Sequence, residues 1–386
     1  MSSDAMGHGV RPTAESDPGA APVQLLDTAG VLQVSDATAE FLPVIEALSD
    51  DTLRSFHRDM VLTRRFDDEA GNLQRQGQLA LWVPSHGQEA AQVGSARATR
   101  PQDHLFPSYR EHAVGMVRGI DPVDVVRLLR GNTHGGWDPA ERQNFHLYTL
   151  VIGSQTLHAT GYAMGVAIDG DYATGDPERD TAVITYFGDG ATSQGDVNEA
   201  FIFAASFQTP QVFFLQNNQW AISVPVATQS RTPLYLRGTG FGIPSTQIDG
   251  NDVLASYAVT LRDMDAARAG GGPRFIEAMT YRIGAHTTSD DPTKYRTDDE
   301  LQSWVARDPI VRFELFLRSR GESDAFFASI EEEANDLAED VRKRTLALEK
   351  PDNDSMFRHV YSERHPRIDE QREWLSNYES SFGETS

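Results

Sequence analysis

One stretch limits what this chain can fold into more than any other. It runs from Thr181 to Pro225, TAVITYFGDGATSQGDVNEAFIFAASFQTPQVFFLQNNQWAISVP. The apolar run Ala182 to Phe187 breaks into Gly188-Asp189-Gly190, the pattern of a strand buried on both faces of a parallel sheet. Val197, Ala200, Phe201, Ala204 and Phe207 then recur at helical spacing, and Pro210 closes the segment. A second apolar run, Val212 to Leu215, ends in Gln216-Asn217-Asn218. The stretch therefore predicts a strand–helix–strand unit with short connections, and so an α/β fold.

A right-handed crossover sets such strands side by side or nearly so, with their carboxyl ends on one edge. Asp189 and Asn218 then fall together on the edge where open α/β sheets bind ligands. A carboxylate, an amide oxygen and nearby carbonyls form a hard-oxygen set of the kind magnesium prefers, in company with phosphates and water. Gly190, Ala191 and the helix start beyond them offer backbone N–H groups to an anion. The ligand these residues point to is a magnesium diphosphate. Alone, Gly-Asp-Gly is a common turn and Asn-Asn a common loop pair. Here 26 residues separate Gly190 from Asn217 and each half ends its own predicted strand.

At 386 residues the chain can bury a large core in one big domain or two small ones. The absence of cysteine excludes disulfides and thiolate metal sites. No stretch approaches the roughly 20 apolar residues of a membrane span. The amino terminus lacks the pattern of a secretory signal and is acidic rather than arginine-rich, so the expected location is the cytoplasm. The net charge of −23, with 3 lysines among 34 basic residues, disfavours nucleic acid and anionic membranes and leaves room for a basic protein partner.

Residues 1–22 are rich in Gly, Pro, Ser, Ala and Asp and are expected to be disordered. Val23 to Val34 suits a hairpin or an extended arm around Thr28-Ala29-Gly30. Ser49 to Gly77 is helical in pattern, with His57 expected on its surface. Ser85-His86-Gly87-Gln88-Glu89 opens a helix of small residues, either as a site loop or as a cap for close packing. Tyr109 and Arg110 follow an apolar segment; a hydroxyl and a planar fork of donors suit a diphosphate, while composition alone favours a solvated surface. Residues 131–148 form a Gly-, His- and Asn-rich loop, functional or mobile. Leu150 to Gln155 leads into a small-residue helix whose Gly161 and Gly165 tight packing explains. Asn251 and Asp252 cap a helix, and Arg274 to Ile283 reads as a buried strand delivering His286 to the edge that holds Asp189 and Asn218. From Glu300 onward the chain is amphipathic helix, then a polar tail over 362–386.

Tyr109-Arg110, Gly188-Asp189-Gly190, Asn217-Asn218 and TYRIGAHTTSDDPTKYR at 280–296 occur in one order. Together they resemble the alpha subunit of the thiamine diphosphate-dependent first component of 2-oxo acid dehydrogenase complexes, over about residues 23–361. The resemblance implies a thiamine diphosphate-binding fold: a mostly parallel central sheet with helices on both faces, plus helical N- and C-terminal extensions. It implies magnesium held by Asp189, the Asn218 side chain and the main-chain carbonyl of Trp220. Gly190 and Ala191 would touch the diphosphate through the backbone, Tyr109 and Arg110 through side chains, and Leu150 and Ile152 would meet the aminopyrimidine half. His286 matches a loop histidine beside the diphosphate and the substrate channel. His112 falls where the pyruvate branch has a histidine, and both histidines are catalytic candidates. Thr149, Ser154 and Gln155 fall where some members hold potassium. Thr287, Thr288 and Ser289 occupy a loop that some members phosphorylate.

The resemblance further implies a separate beta subunit carrying the aminopyrimidine-binding half and its glutamate, in an assembly of two alpha and two beta chains. The implied reaction is oxidative decarboxylation of a small-molecule 2-oxo acid, with reductive acylation of a lipoyl group on the acyltransferase second component. TYRIGAHTTSDD resembles branched-chain enzymes; DDPTKYRT, DPIVRF and His112 resemble pyruvate enzymes. Branched-chain substrates such as 3-methyl-2-oxobutanoate are slightly favoured over pyruvate. The alternative is a catalytically silent subunit that keeps the cofactor fold and acts as an interaction scaffold.

Overall fold

A computed structural model describes residues 21–133, 136–349 and 352–382. Its centre is a five-stranded sheet of β1 (His104–Phe106), β2 (Val183–Gly188), β3 (Gln211–Asn217), β4 (Ser245–Asp249) and β5 (Arg274–Met279). The spatial order is β1-β2-β3-β5-β4 and every pairing is parallel. The predicted strand–helix–strand unit is β2, its helix and β3, and the register pairs Gly188 with Gln216. Both strands therefore end level, and the residues after them emerge on one edge.

The alternation along each strand explains the two-faced core. Ile184, Tyr186, Val212, Phe214, Ile276 and Ala278 point into one apolar cluster, while Phe187, Phe213, Leu215 and Phe275 point into another. Helices α1 (Asp50–Arg75), α2 (Glu89–Arg97), α3 (Ser154–Asp169), α4 (Gly195–Phe207) and α5 (Val253–Arg268) form the layers around it. Ala90, Ala91 and Val93 of α2 and Leu254, Ala258 and Val259 of α5 fill the first cluster; Val197, Ala200, Phe201 and Ala204 of α4 fill the second. Asp252 caps α5 by accepting from Leu254 N and Ala255 N at 3.0 and 3.2 Å. Its other oxygen accepts from Leu25 N and Leu26 N, which ties the N-terminal arm to the body. That arm is both of the things expected of it, pairing Leu26 with Leu32 across a turn and Val23 with Ile248 of β4.

Beyond these lie α6 (Pro309–Ser319), α7 (Asp324–Leu346) and α8 (Pro366–Ser380). Helix α7 corrects one expectation. His57 is not on the surface; it is 3% exposed, with its ring 5.1 Å from that of Phe327 and 6.0 Å from that of Phe326. The apolar stripe of α1 could not announce that a helix almost 270 residues later covers its flank. Gly161 and Gly165 of α3 correct another, because a Cβ at either would meet nothing within 4 Å among the described residues beyond its chain neighbours and the adjacent backbone of its own helix. Ala163, between them, is fully buried, so the glycines lie on the face turned away from the core. The polar stretch from 362 carries the exposed helix α8. The disorder expected over 1–22 falls, save its last two residues, outside the described residues. No helix among those described is long and apolar enough to cross a membrane.

Candidate active site

The carboxyl edge of β2, β3 and β5 opens into a cavity of about 270 Å³. Its walls include Tyr109, Arg110, Ile152, Asp189, Gly190, Ala191, Asn218, Trp220 and His286. Of the residues singled out from sequence, Leu150 and His112 are not in that wall. Leu150 is 63% exposed beside Val151 and Ile152, an apolar row next to the mouth.

Asp189 opens a short 3-10 turn directly after β2, and Asn218 ends the run after β3. Gly190 lets this turn close on the next segment, since a Cβ there would lie 2.8 Å from Ala221 Cβ. Trp220 and Ala221 pair with Val224 and Pro225 in a small antiparallel ribbon. The chain enters that ribbon through Gln219 at φ +75° and turns between its two strands through Ile222 at φ +56°. Left-handed backbone at a β-branched residue costs about 1–3 kcal/mol and persists only where the surroundings enforce it. Arg282, fully buried, supplies the enforcement by donating to Trp220 O at 3.2 Å and Ile222 O at 2.8 Å.

The result is an oxygen cluster. The end of the Asn218 amide that faces the turn lies 3.1 Å from Trp220 O and 3.3 Å from Asp189 Oδ1. Presented as oxygen, it completes three oxygens with no hydrogen between them, a repulsive arrangement unless a cation sits among them. Magnesium, octahedral with oxygens at about 2.0–2.1 Å, spaces neighbouring ligands by about 3 Å, and the two separations from Asn218 match that spacing. Burial pushes the Asp189 carboxyl up to about 6, against its own backbone N–H, Gln229 and Arg282. A divalent cation here would reverse that shift.

The opposite wall is cationic and rich in donors. Arg110 Nη2 reaches His286 Nδ1 at 3.2 Å and His286 O at 3.1 Å, and Arg282 Nη1 reaches His286 Nδ1 at 3.4 Å. A guanidinium can only donate, so His286 Nδ1 accepts and its Nε2 carries the proton. Burial first, then Arg110 and Arg282, hold the His286 pKa down to about 4, and the ring is neutral at pH 7. Asp290 accepts from His286 N at 2.8 Å and from Tyr295, which fixes the loop. Tyr109 stands at right angles to His286, with ring centres 6.3 Å apart.

Glu111 forms the turn that presents Tyr109 and Arg110. Its carboxylate accepts from Ser108 N, Ser108 Oγ and Arg110 N at 2.7, 2.9 and 3.3 Å, and from Gln216 Nε2 at 2.6 Å. His112, the next residue, is turned inward. Its Nδ1 meets Tyr148 Oη at 2.8 Å, its Nε2 meets Val83 O at 2.8 Å, and its ring stacks on Trp82 at 4.5 Å. Fully buried and with both nitrogens engaged, His112 lies outside the cavity wall and joins Tyr148 to Val83 behind it. Of Thr149, Ser154 and Gln155, only Gln155 lines the cavity; its Oε1 finds no partner among the described residues.

Sequence reasoning missed Gln88, Glu111, Gln194, Gln216, Ala221 and Ile222 in the wall, and Arg282 behind it. Gln88 sits in the Ser85–Glu89 segment, which is both things expected of it: it lines the cavity through Gln88, and it packs closely at Gly87, where a Cβ would run into Tyr281 O. Arg282 lies inside the 280–296 motif without having been singled out. The cavity thus faces a hard-oxygen cluster with fixed donors, an arrangement for a polyanion carrying a divalent cation.

Comparison with known proteins identifies the family. Residues 57–350 match the dehydrogenase E1 component family. The chain is 46% identical over 333 residues to the 3-methyl-2-oxobutanoate dehydrogenase subunit alpha of Mycobacterium tuberculosis (strain ATCC 25618 / H37Rv), covering 85% of this chain and 88% of that one. It is 41% identical over 341 residues to the pyruvate dehydrogenase E1 component subunit alpha of Acholeplasma laidlawii, covering 86% and 94%. Against the protein of that name from Staphylococcus aureus (strain N315) it is 38% identical over 301 residues, covering 78% and 77%.

Proposed function

This chain belongs to the dehydrogenase E1 component family, and from that premise we propose that it is the alpha subunit of a 2-oxo acid dehydrogenase first component. The enzyme is an oxidoreductase that decarboxylates a 2-oxo acid and passes the acyl group to a lipoyl carrier on the second component of its complex. The observation that carries this reading is the Asp189–Asn218–Trp220 oxygen cluster facing Arg110 and His286 across one cavity.

Asp189 Oδ1, Asn218 Oδ1 and Trp220 O are the proposed magnesium ligands. Tyr109, Arg110 and the backbone of Gly190 and Ala191 receive the diphosphate, and Ile152 and Leu150 lie toward the aminopyrimidine half. Thiamine diphosphate, when bound, supplies the carbon nucleophile and electron sink that decarboxylation needs. The chain's own part is to orient, neutralise and keep dry. Arg110 and Arg282 hold His286 neutral with its Nε2–H free, so His286 offers a hydrogen bond rather than a base. Its role is to bind and orient an oxygen of substrate or acyl group at the channel. A potassium site rests only on the unpartnered Gln155 Oε1.

A beta subunit completes the site. The exposed row Leu150, Val151 and Ile152 beside the mouth supports a covering partner, because three adjacent apolar side chains in water are a surface kept for contact. Branched-chain substrates remain slightly favoured over pyruvate, supported by the named activity of the mycobacterial relative. One methylene in an apolar pocket is worth about 1–3 kcal/mol, so the preference is one of degree. Two measurements test the proposal. Calorimetric titration with thiamine diphosphate and magnesium, with and without the beta chain, should show tight binding only in the assembly; heat-free injections there would favour a silent scaffold. Comparing decarboxylation of 3-methyl-2-oxobutanoate and pyruvate by the assembly decides the substrate.

A further inference from the structure

The oxygen cluster raises a question of orientation that two glutamines answer. An asparagine amide presents oxygen or nitrogen with nearly the same shape. With Asn218 Nδ2 toward Gln88 it donates to Gln88 Oε1 at 3.3 Å, and the Asn218 oxygen faces Asp189 and Trp220 while accepting from Trp220 N at 3.3 Å. Turned over, the nitrogen would donate to Trp220 O at 3.1 Å and Asp189 Oδ1 at 3.3 Å. That state is comfortable without a cation and removes one of the three oxygens. The outcome depends on Gln88, because the turned Asn218 needs a donor where Gln88 now accepts. The two amides can only turn together. Gln88 is 1% exposed and its Nε2 meets no partner among the described residues, so its pairing with Asn218 sets which way its amide faces, and neither amide can turn toward solvent.

Asp189 has the corresponding guard. Gln229, in the turn Val226–Gln229, donates from Nε2 to Asp189 Oδ2 at 3.2 Å, and its Oε1 accepts from Ser193 Oγ at 3.2 Å. One carboxylate oxygen is occupied, which leaves Oδ1 for the cluster.

We propose that Gln88 and Gln229 are positioning residues that fix which atoms of Asn218 and Asp189 face the metal, Gln88 by holding the Asn218 amide oxygen-inward and Gln229 by occupying Asp189 Oδ2. The inference rests on the metal site proposed above and deepens it. Neither glutamine is a ligand of the ion; each acts through the ligand it touches. Groups that orient metal ligands typically cost 10–100-fold in metal affinity when replaced.

The test is a Mn²⁺ titration at pH 8 on the full chain assembled with its beta partner, with thiamine diphosphate saturating and free Mn²⁺ counted by paramagnetic resonance. Gln88→Met and Gln229→Met keep length and lose the hydrogen bonds. Each should weaken Mn²⁺ by about 10–100-fold, with the thermal midpoint of the metal-free assembly unmoved. Gln88→Glu, whose carboxylate can only accept, should hold Asn218 oxygen-inward and keep Mn²⁺ near the wild-type affinity. Methionine variants that bind as wild type, or a Gln88→Glu variant as weak as Gln88→Met, would overturn the proposal. Asp189→Ala separates the two levels. If it binds Mn²⁺ as tightly as wild type, the metal site itself is misplaced and the glutamine roles fall with it.

Discussion

His57 offers a perturbation whose size follows from its surroundings. Its ring lies between α1 and α7, against Phe326 and Phe327, and neither nitrogen finds a hydrogen-bond partner among the described residues. Burial lowers its pKa from 6.5 to about 4, with Glu314 opposing and Arg318 assisting. The folded protein therefore binds the proton less well than the unfolded chain does. The stability associated with the neutral ring is present above pH 6.5 and drains as pH falls toward 4. Linkage puts the full loss at roughly 3 kcal/mol, of which roughly 2 kcal/mol falls between pH 7 and pH 5. His57→Leu keeps an apolar side chain in the pocket and removes the titrating group. Denaturant unfolding of both proteins at pH 7 and pH 5 isolates the effect, because every other titrating group cancels in the difference between them. The variant should gain about 2 kcal/mol on wild type over that interval. Parallel stability at the two pH values would refute the argument, and a His57 imidazole that titrates near 6.5 by NMR would do the same.

Other outcomes follow from the site. Because the Asp189 carboxyl is held up at about 6 without a cation and a metal needs it ionised, Mn²⁺ affinity should be about tenfold weaker at pH 5 than at pH 7. Equal Mn²⁺ affinity at the two pH values would refute it. His286→Ala should abolish lipoyl acylation in the reconstituted assembly while leaving thiamine diphosphate binding largely intact, and unchanged acylation would remove His286 from the channel. His112→Ala takes the partner from the half-buried Tyr148 Oη and strands the buried Val83 O, and a buried group left unsatisfied costs about 1–3 kcal/mol. That variant should lower the unfolding midpoint; lost activity at unchanged stability would return His112 to the catalytic group.

The central unit was legible because two-faced burial writes itself as continuous apolar runs, and glycine with polar residues marks where each run stops. From the ends of β2 and β3 the meeting of Asp189 and Asn218 follows by topology alone. Strand β4 was not legible. STQID lies at the sheet edge, only Ile248 is fully buried, and so it carries no apolar run. The burial of His57 and His112 was hidden for a related reason. Both sit on helices whose own periodicity says little about covers supplied from elsewhere: α7 over His57, and Trp82, Val83 and Tyr148 around His112. Gln88 was visible only as part of a candidate site loop and Gln229 left no mark, because a glutamine that orients a ligand is spelled the same as one in water.

The central claim is that Asp189, Asn218 and Trp220 share one divalent ion. Anomalous diffraction from crystals of the assembly grown with Mn²⁺ and thiamine diphosphate tests it most directly. The account predicts a single strong peak at about 2.0–2.3 Å from Asp189 Oδ1, Asn218 Oδ1 and Trp220 O together. A diphosphate bound with its ion outside that trio would contradict it.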